Sequence, residues 1–324
     1  MRILLIGGSG FFGKSLLHLL QRVEGVLQPG SEVIFASRHP NPLMRAPFEF
    51  HGVKVSNLYY DVLSGANLPD CNVVIHAAAS SNASRYVVAA DAETQTIVEG
   101  TRRLLDLMKG LGPQTKLIYL SSGAVYGRQP KLSQTLAEDS PFESRLDPTK
   151  AAYAIAKRDA ELAVVHYAKF HDRPAIIARC FAFVGAFLPT DTHFAIGNMI
   201  ADIEGRRPIS IHARHLVYRS YLSTDDLWIC LLKMALATEF RGEAFNVGCG
   251  RGVELHDLAV RLGVRFGVGY SGSSRLELEN SHEDFYIPDV TKSIETFNLP
   301  RPSELVDTVS DILKQRADLG LNRR

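Results

Sequence analysis

Through the first half of the chain, short apolar runs alternate with amphipathic stretches. Strands are predicted at Ile3–Ile6, Val33–Ala36, Val53–Val55, Val73–Ile75, Leu117–Leu120 and Ala175–Ala178. Several of these runs are unbroken, the pattern of parallel strands covered on both faces. Between them, Leu16, Leu17, Leu19, Leu20 and Val23 form one apolar stripe, and Ile97, Thr101, Leu104, Leu105 and Met108 recur at helical spacing in another. A further helix is expected at about 149–169, after the start signal Asp147-Pro148. Strand–helix–strand alternation of this length predicts an α/β fold built on a right-handed, doubly wound parallel sheet.

Beyond residue 182 the rhythm breaks, with Gly185, Pro189, Pro208 and irregular polar stretches marking an excursion from the sheet. A helix is expected at Asp225–Leu236 and a strand at Ala244–Val247. An irregular C-terminal part follows, opening at 248–252 and ending in an amphipathic helix near Glu304–Leu313. The expected division is a sheet-based unit of 1–182 plus about 221–248, and a smaller unit of 183–220 plus 249–324. Trp228 reads as core.

Composition narrows the class. The chain has 324 residues, with 36 Lys plus Arg against 35 Asp plus Glu, so no global field draws in nucleic acid or an anionic membrane. With 46% hydrophobic and 22% charged residues it is not a disordered chain. The four cysteines, Cys71, Cys180, Cys230 and Cys249, lie far apart and form no CxxC, so neither a metal site nor a disulfide framework is expected. No signal or membrane-spanning stretch stands out, and a soluble cytoplasmic enzyme is the expectation.

Residues 7–13 read Gly-Gly-Ser-Gly-Phe-Phe-Gly between the first strand and the first helix. Missing Cβ atoms let the chain turn tightly, bring backbone up to a pyrophosphate and pack helix on strand. The free N–H groups and positive dipole end of the helix then face the phosphates. A ligand-free Gly-rich turn is the alternative, but the strand–loop–helix setting points to a dinucleotide. An acidic residue ending the second strand would read the adenosine ribose, yet the chain has Ala36-Ser37-Arg38-His39 there. Ser37 and Arg38 can hold a 2′-phosphate, which favours NADP over NAD; otherwise Arg38 is a solvated loop residue. Asp61, after Tyr59-Tyr60, either meets the adenine edge or caps the next turn.

Tyr153 and Lys157 stand at i and i+4 on the expected 149–169 helix and share a face. A nearby ammonium favours the phenolate, so Tyr153 can take a proton from a hydroxyl or return one to a carbonyl. Tyr-x-x-x-Lys alone usually marks an exposed helix face. Here it follows Leu120-Ser121-Ser122-Gly123-Ala124-Val125-Tyr126-Gly127, at the C-terminal end of a predicted strand, where doubly wound sheets place ligands. Ser122 can hydrogen-bond the reacting oxygen; Ser121 reads as a turn residue. His76 reads as ordering a strand end.

Gly7–Gly13, Asp61-Val62, His76-Ala77-Ala78, Ser121–Gly127 and Tyr153–Lys157 together resemble the extended short-chain dehydrogenase/reductases, in their nucleotide-sugar epimerase/dehydratase branch. Arg179–Gly185, Arg219–Asp226, Phe245–Gly248 and Asp289–Lys292 continue the likeness in order along nearly the whole chain. The resemblance implies a Rossmann domain, a smaller C-terminal substrate-binding domain, a nucleotide-diphosphate sugar as substrate and a homodimer built from paired helices. It also implies a catalytic triad of Ser122, Tyr153 and Lys157, with Arg219 on the substrate pyrophosphate. The cofactor contacts it implies are Gly7, Gly10, Phe11, Phe12, Gly13, Ser37, Arg38, Asp61, Val62, Ala77, Ala78, Tyr153 and Lys157.

Departures from the family pattern carry information. Where the family's dehydratases place an Asp-Glu pair, this chain has Gly123-Ala124, which disfavours 4,6-dehydration. Asparagines expected at two positions are Ala182 and Ile97, and an arginine expected upstream of Asp289 is replaced by Glu279, with Arg275 nearby. Asn198 is a candidate substrate contact or equally a buried loop group. The leading expectation is an NADPH-linked 4-keto sugar reductase. A nucleotide-sugar 4-epimerase needs the same triad, and a non-catalytic NADP-binding sensor is the third reading.

Overall fold

The computed structural model describes residues 1–44, 46–79, 83–129, 135–144, 146, 148–190, 192, 194–272 and 282–322, with the backbone alone at 83–88 and 148–150. Asp147, Arg275 and Glu279 lie outside the described residues. The N-terminal strands are β1 Arg2–Ile6, β2 Glu32–Ser37, β3 Phe48–Phe50, β4 Val53–Tyr59, β5 Val73–His76, β6 Lys116–Ser122 and β7 Ala175–Cys180. After them come β8 Phe183–Val184, β9 Ile209–Ser210, β10 Leu216–Arg219, β11 Leu222–Ser223, β12 Arg241–Val247, β13 Val253–Glu254, β14 Tyr270–Ser271 and β15 Glu283–Tyr286. The helices are α1 Phe11–Arg22, α2 Ala83–Met108, α3 Pro148–Phe170, α4 Ala195–Glu204, α5 Thr224–Leu236, α6 Leu255–Phe266, α7 Thr291–Phe297 and α8 Leu305–Asp318.

Among the described residues, eight strands form the main sheet in the order β12-β7-β6-β5-β1-β2-β4-β3, parallel except for the β3–β4 pair. Alternate residues of β1 show why its apolar run is unbroken. Ile3 and Leu5 pack with Leu16, Leu17 and Trp228 from α1 and α5. Leu4 and Ile6 pack on the other side with Leu104, Met108 and Val164 from α2 and α3. Both faces are thereby covered, as a Rossmann-type sheet requires. The Trp228 indole N–H donates to the Phe12 carbonyl at 3.1 Å, tying α5 to the start of α1.

A second core joins α4, α6 and α8 through Ile196, Met199, Leu258, Leu262, Val309 and Ile312. Beside it stands the small sheet β13-β10-β15. The expected irregularity after residue 248 is therefore corrected, because α6 and α7 lie there, and α4 fills part of the 183–220 excursion. The strands in these stretches are two to four residues long, too short for periodicity to register. The cap of α6 is Glu254, whose carboxylate accepts from the His256 and Asp257 N–H groups, and glutamate is not a usual start signal. No helix among the described residues is long and apolar enough to cross a membrane.

Candidate active site

The glycine loop joins β1 to α1 against two neighbouring strands. Gly7 sits at φ +95°, and a Cβ there would lie 2.8 Å from the Ala77 carbonyl, so Ala77 and Ala78 press on the loop directly. A Cβ on Gly13 would fall 1.9 Å from the Gly8 oxygen, so helix and loop cannot pack this closely with any other residue. Gly10 differs. It is exposed, and only the Gly7 oxygen, at 3.3 Å, comes near its Cβ position. No acidic residue stands in the first turn of α1 and no side chain caps it. An open backbone approach to an uncapped helix start suits a pyrophosphate. Phe11 and Phe12 pack edge to face at 5.6 Å, and Phe12 continues onto Phe183.

At the tip of β2, the Ser37 hydroxyl donates to the His39 carbonyl, turning it onto its own loop. Arg38 is exposed. Asn41, buried at 1% exposure, was not foreseen as a site-ordering residue. Its amide donates to the Gly8 carbonyl at 2.9 Å, while Asn57 accepts from its backbone N–H at 3.0 Å. The loop after β2 is thus fastened to the glycine loop. The Asp61 carboxylate accepts from the Leu63 N–H at 3.0 Å, which is the turn-capping alternative, and Val62 packs against Gly100 of α2.

Ser122 ends β6 and opens a single 3₁₀ turn, Gly123–Tyr126, accepting from the Ala124 N–H at 3.2 Å. The Tyr153 phenol lies close enough to Ser122 for that hydroxyl to pull its pKa down. Lys157, one turn along α3 and buried, donates to the Leu120 carbonyl at 2.7 Å, and its Nζ lies 5.9 Å from the Tyr153 ring centroid. The three side chains meet at the C-terminal ends of β6 and β7. Their electrostatics depart from the expectation that lysine would depress the phenol. Tyr153 is half-buried; burial pushes its hydroxyl up to about 12, and Ser122 pulls against that. Burial brings Lys157 down to about 8, opposed by Cys180 and Glu161. His76, below them, is held down at about 3 by burial and by Lys157; its Nε2 pairs with the Thr101 hydroxyl at 3.3 Å.

Behind the site lies a buried polar network that sequence reasoning missed. The Arg179 guanidinium meets Glu161 through Nε and Nη2, the latter at 2.8 Å, and Ser121 donates to the same carboxylate at 2.5 Å. Arg179 also donates to Tyr126, whose hydroxyl donates to Asn246.

On the substrate side, Arg219 ends β10 and is already engaged, donating to Asp284 Oδ2 at 2.7 Å and to two carbonyls. Asn198 gives its amide to the Thr192 carbonyl and its carbonyl accepts the Thr192 N–H, so both ends are spent on its own loop. Ile97, at 1% exposure, is core. Tyr286 of β15 also stands beside the site, its ring 4.7 Å from that of Phe181 and its hydroxyl 2.7 Å from where a Cβ on Gly123 would stand, and no linear motif marked it.

The sequence pattern of the NAD dependent epimerase/dehydratase family matches residues 3–248. A probable dTDP-glucose 4,6-dehydratase of Sinorhizobium fredii is 27% identical over 273 residues, covering 76% of this chain and 71% of the relative. A probable UDP-glucuronate 4-epimerase of Rhizobium meliloti is 26% identical over 246 residues, covering 72% of this chain and 68% of the relative. Among solved structures, RMD from Pseudomonas aeruginosa, complexed with NADPH, superposes with a TM-score of 0.75 at 20% identity, covering 98% of this chain and 99% of that one. With a matching family pattern over most of its length and the fold to go with it, the chain belongs to the NAD dependent epimerase/dehydratase family.

Proposed function

We propose that this chain is an oxidoreductase acting at C4 of a nucleotide-diphosphate sugar, with net reduction of a 4-keto sugar by NADPH as its reaction. The carrying observation is Tyr153 with the buried Lys157 one helical turn away, its Nζ 5.9 Å from the Tyr153 ring and bonded to the Leu120 carbonyl at the end of β6, where Ser122 stands. The backbone of Gly7, Gly10, Phe11, Phe12 and Gly13 would hold the cofactor pyrophosphate, and Ala77 and Ala78 would line the loop's other side. Ser37 and Arg38 would take the 2′-phosphate, and Asp61 and Val62 the adenine side. When bound, the nicotinamide supplies hydride to the sugar carbon.

The chain's own groups handle the oxygen. Ser122 donates to the carbonyl oxygen, and Tyr153 delivers the proton as negative charge develops there. Lys157 stays mostly charged at neutral pH and stabilises the phenolate left behind. Arg219 contacts the substrate pyrophosphate by sharing its guanidinium with Asp284. Gly123 and Ala124 provide no carboxyl group, so elimination of water lacks its acid and base. Ile155, Leu162 and Phe170, exposed at 48%, 69% and 74% along α3, are the face on which a second copy would pair.

A 4-epimerase is the second reading, favoured by the Rhizobium meliloti relative, since Ser122, Tyr153 and Lys157 serve hydride movement in either direction. The test is NADPH absorbance in the presence of nucleotide 4-keto-6-deoxy sugars. Stoichiometric oxidation of added NADPH is the expected result. Retained cofactor with isomerised sugar and no net consumption makes the chain an epimerase, and turnover undiminished in Tyr153→Phe overturns both.

A further inference from the structure

Lys157 is 4% exposed, so its ammonium must be held by protein groups or give up its proton. Among the described residues two oxygens accept from it, the Leu120 carbonyl at 2.7 Å and the Tyr119 hydroxyl at 3.4 Å. Two phenol rings flank it, with centroids 4.8 Å away for Tyr119 and 5.9 Å for Tyr153. Glu161 stands one turn further along α3, but its carboxylate is taken up by Arg179 and Ser121. The groups that bond the ammonium are thus neutral.

This neutrality bears on Tyr153. A carboxylate paired with Lys157 would stabilise the ammonium but cancel much of its field at a nearby phenolate. A carbonyl, a hydroxyl and an electron-rich ring hold the charge and leave it uncancelled. The sheet fixes Tyr119 in this place. It is 1% exposed and pairs in register with His76 of β5, whose ring centroid lies 5.7 Å from its own. His76 is anchored in turn on Thr101 of α2 at 3.3 Å. The titratable groups around the ammonium are Tyr153 and Glu161 of α3, Tyr119 of β6, His76 of β5 and Cys180 of β7. His76 is neutral near pH 7, so it puts no second positive charge beside Lys157.

We propose that Tyr119 is a positioning residue: its hydroxyl and ring give the Lys157 ammonium a neutral seat one helical turn from Tyr153, so that the full charge acts on the phenol. The consequence for turnover rests on the hydride-transfer reading above, whereas the seat has a readout of its own. Lys157, already brought to about 8 by burial, falls further when the seat is removed, because less then favours its charged form. That form is present below the midpoint, so a lowered midpoint moves the alkaline loss of activity to lower pH.

The test uses the full chain carrying ε-carbon-13-labelled lysine, with the Lys157 resonance assigned by its loss in Lys157→Met and followed against pH. Tyr119→Phe removes the hydroxyl at almost constant volume and lowers the Lys157 midpoint by about half to one pH unit. Tyr119→Leu removes the ring as well and lowers it by about one to two pH units. Lys116 is the internal control. It is also buried and brought down to about 8, but it donates to the Met234 and Ala235 carbonyls, so its midpoint holds. In the NADPH assay, kcat of Tyr119→Phe drops about two- to fivefold at pH 8 and less than about 1.5-fold at pH 6.5, with KM changed less than about twofold. An unchanged Lys157 midpoint in Tyr119→Phe, or an equal fall at Lys116, overturns the proposal. So does a kcat loss of the same size at both pH values. If Tyr153→Phe keeps full turnover while the Lys157 midpoint still responds to Tyr119, the hydride-transfer reading fails and the seat stands.

Discussion

Replacing Glu161 with Gln keeps the side chain's volume and removes its charge from the pair behind β6 and β7. The two side chains are 7% and 8% exposed and 2.8 Å apart. At an effective dielectric of about 20, two unit charges at that separation attract by about 6 kcal/mol before desolvation is subtracted. Burial works against the Arg179 charge, but the hydrogen bonds and charge of Glu161 outweigh it and raise the Arg179 pKa. Stranding that guanidinium should cost about 3–5 kcal/mol, the range for a buried pair broken on one side. With a urea slope of about 2–3 kcal/mol per molar, the unfolding midpoint falls by about 1–2.5 M. Urea titration followed by far-ultraviolet circular dichroism measures this for Glu161→Gln, Arg179→Met and the double variant. The double variant should be no less stable than the worse single, because neither then leaves an unpaired charge. Single losses under about 1 kcal/mol, or losses that simply add, would refute the reasoning and rank the pair with surface ion pairs.

Three further outcomes are expected. Tyr153→Phe should reduce turnover at least about a hundredfold while leaving the NADP Kd within about threefold, as read by steady-state kinetics and cofactor titration. Arg38→Ala should weaken NADP about tenfold or more and NAD less than about twofold; equal losses in the two titrations return Arg38 to a solvated loop residue. His76 makes the fold acid-sensitive: its folded pKa of about 3 lies below the ordinary 6.5, so the unfolded chain binds a proton that the folded one refuses. Stability is lost at about 1.4 kcal/mol per pH unit from 6.5 down towards 3, and His76→Leu should flatten this limb in pH-dependent unfolding.

The N-terminal half was legible because its strands are buried on both faces and its helices carry apolar stripes. Every predicted strand there lies inside an observed one, and the ends differ by a few residues. The glycine loop and the Ser122, Tyr153 and Lys157 trio were also readable, since each stands on a local motif. Tyr286 and Asn41 were not, for a physical reason. Tyr286 reaches Gly123 across 163 residues of chain because β15 pairs with β10 and is clamped by Gln129. Asn41 orders the glycine loop through a hydrogen bond made by folding, not by spacing. The pairing of Glu161 with Arg179 likewise links α3 to β7, and neither residue belongs to a motif that predicts the other. Asn198 shows the converse, since residue type marked it as a contact while the fold gives its side-chain polar atoms local partners.

The indole bond between Trp228 and the Phe12 carbonyl has an optical consequence. Trp228 is the chain's single tryptophan, fully buried, and its N–H is fastened to the second residue of α1. All of the protein's indole fluorescence therefore originates one hydrogen bond away from the glycine loop. A dinucleotide that stiffens or shifts this loop should alter the emission of Trp228, and the reduced nicotinamide should quench it by energy transfer. The fold thus carries its own label-free reporter of cofactor occupancy.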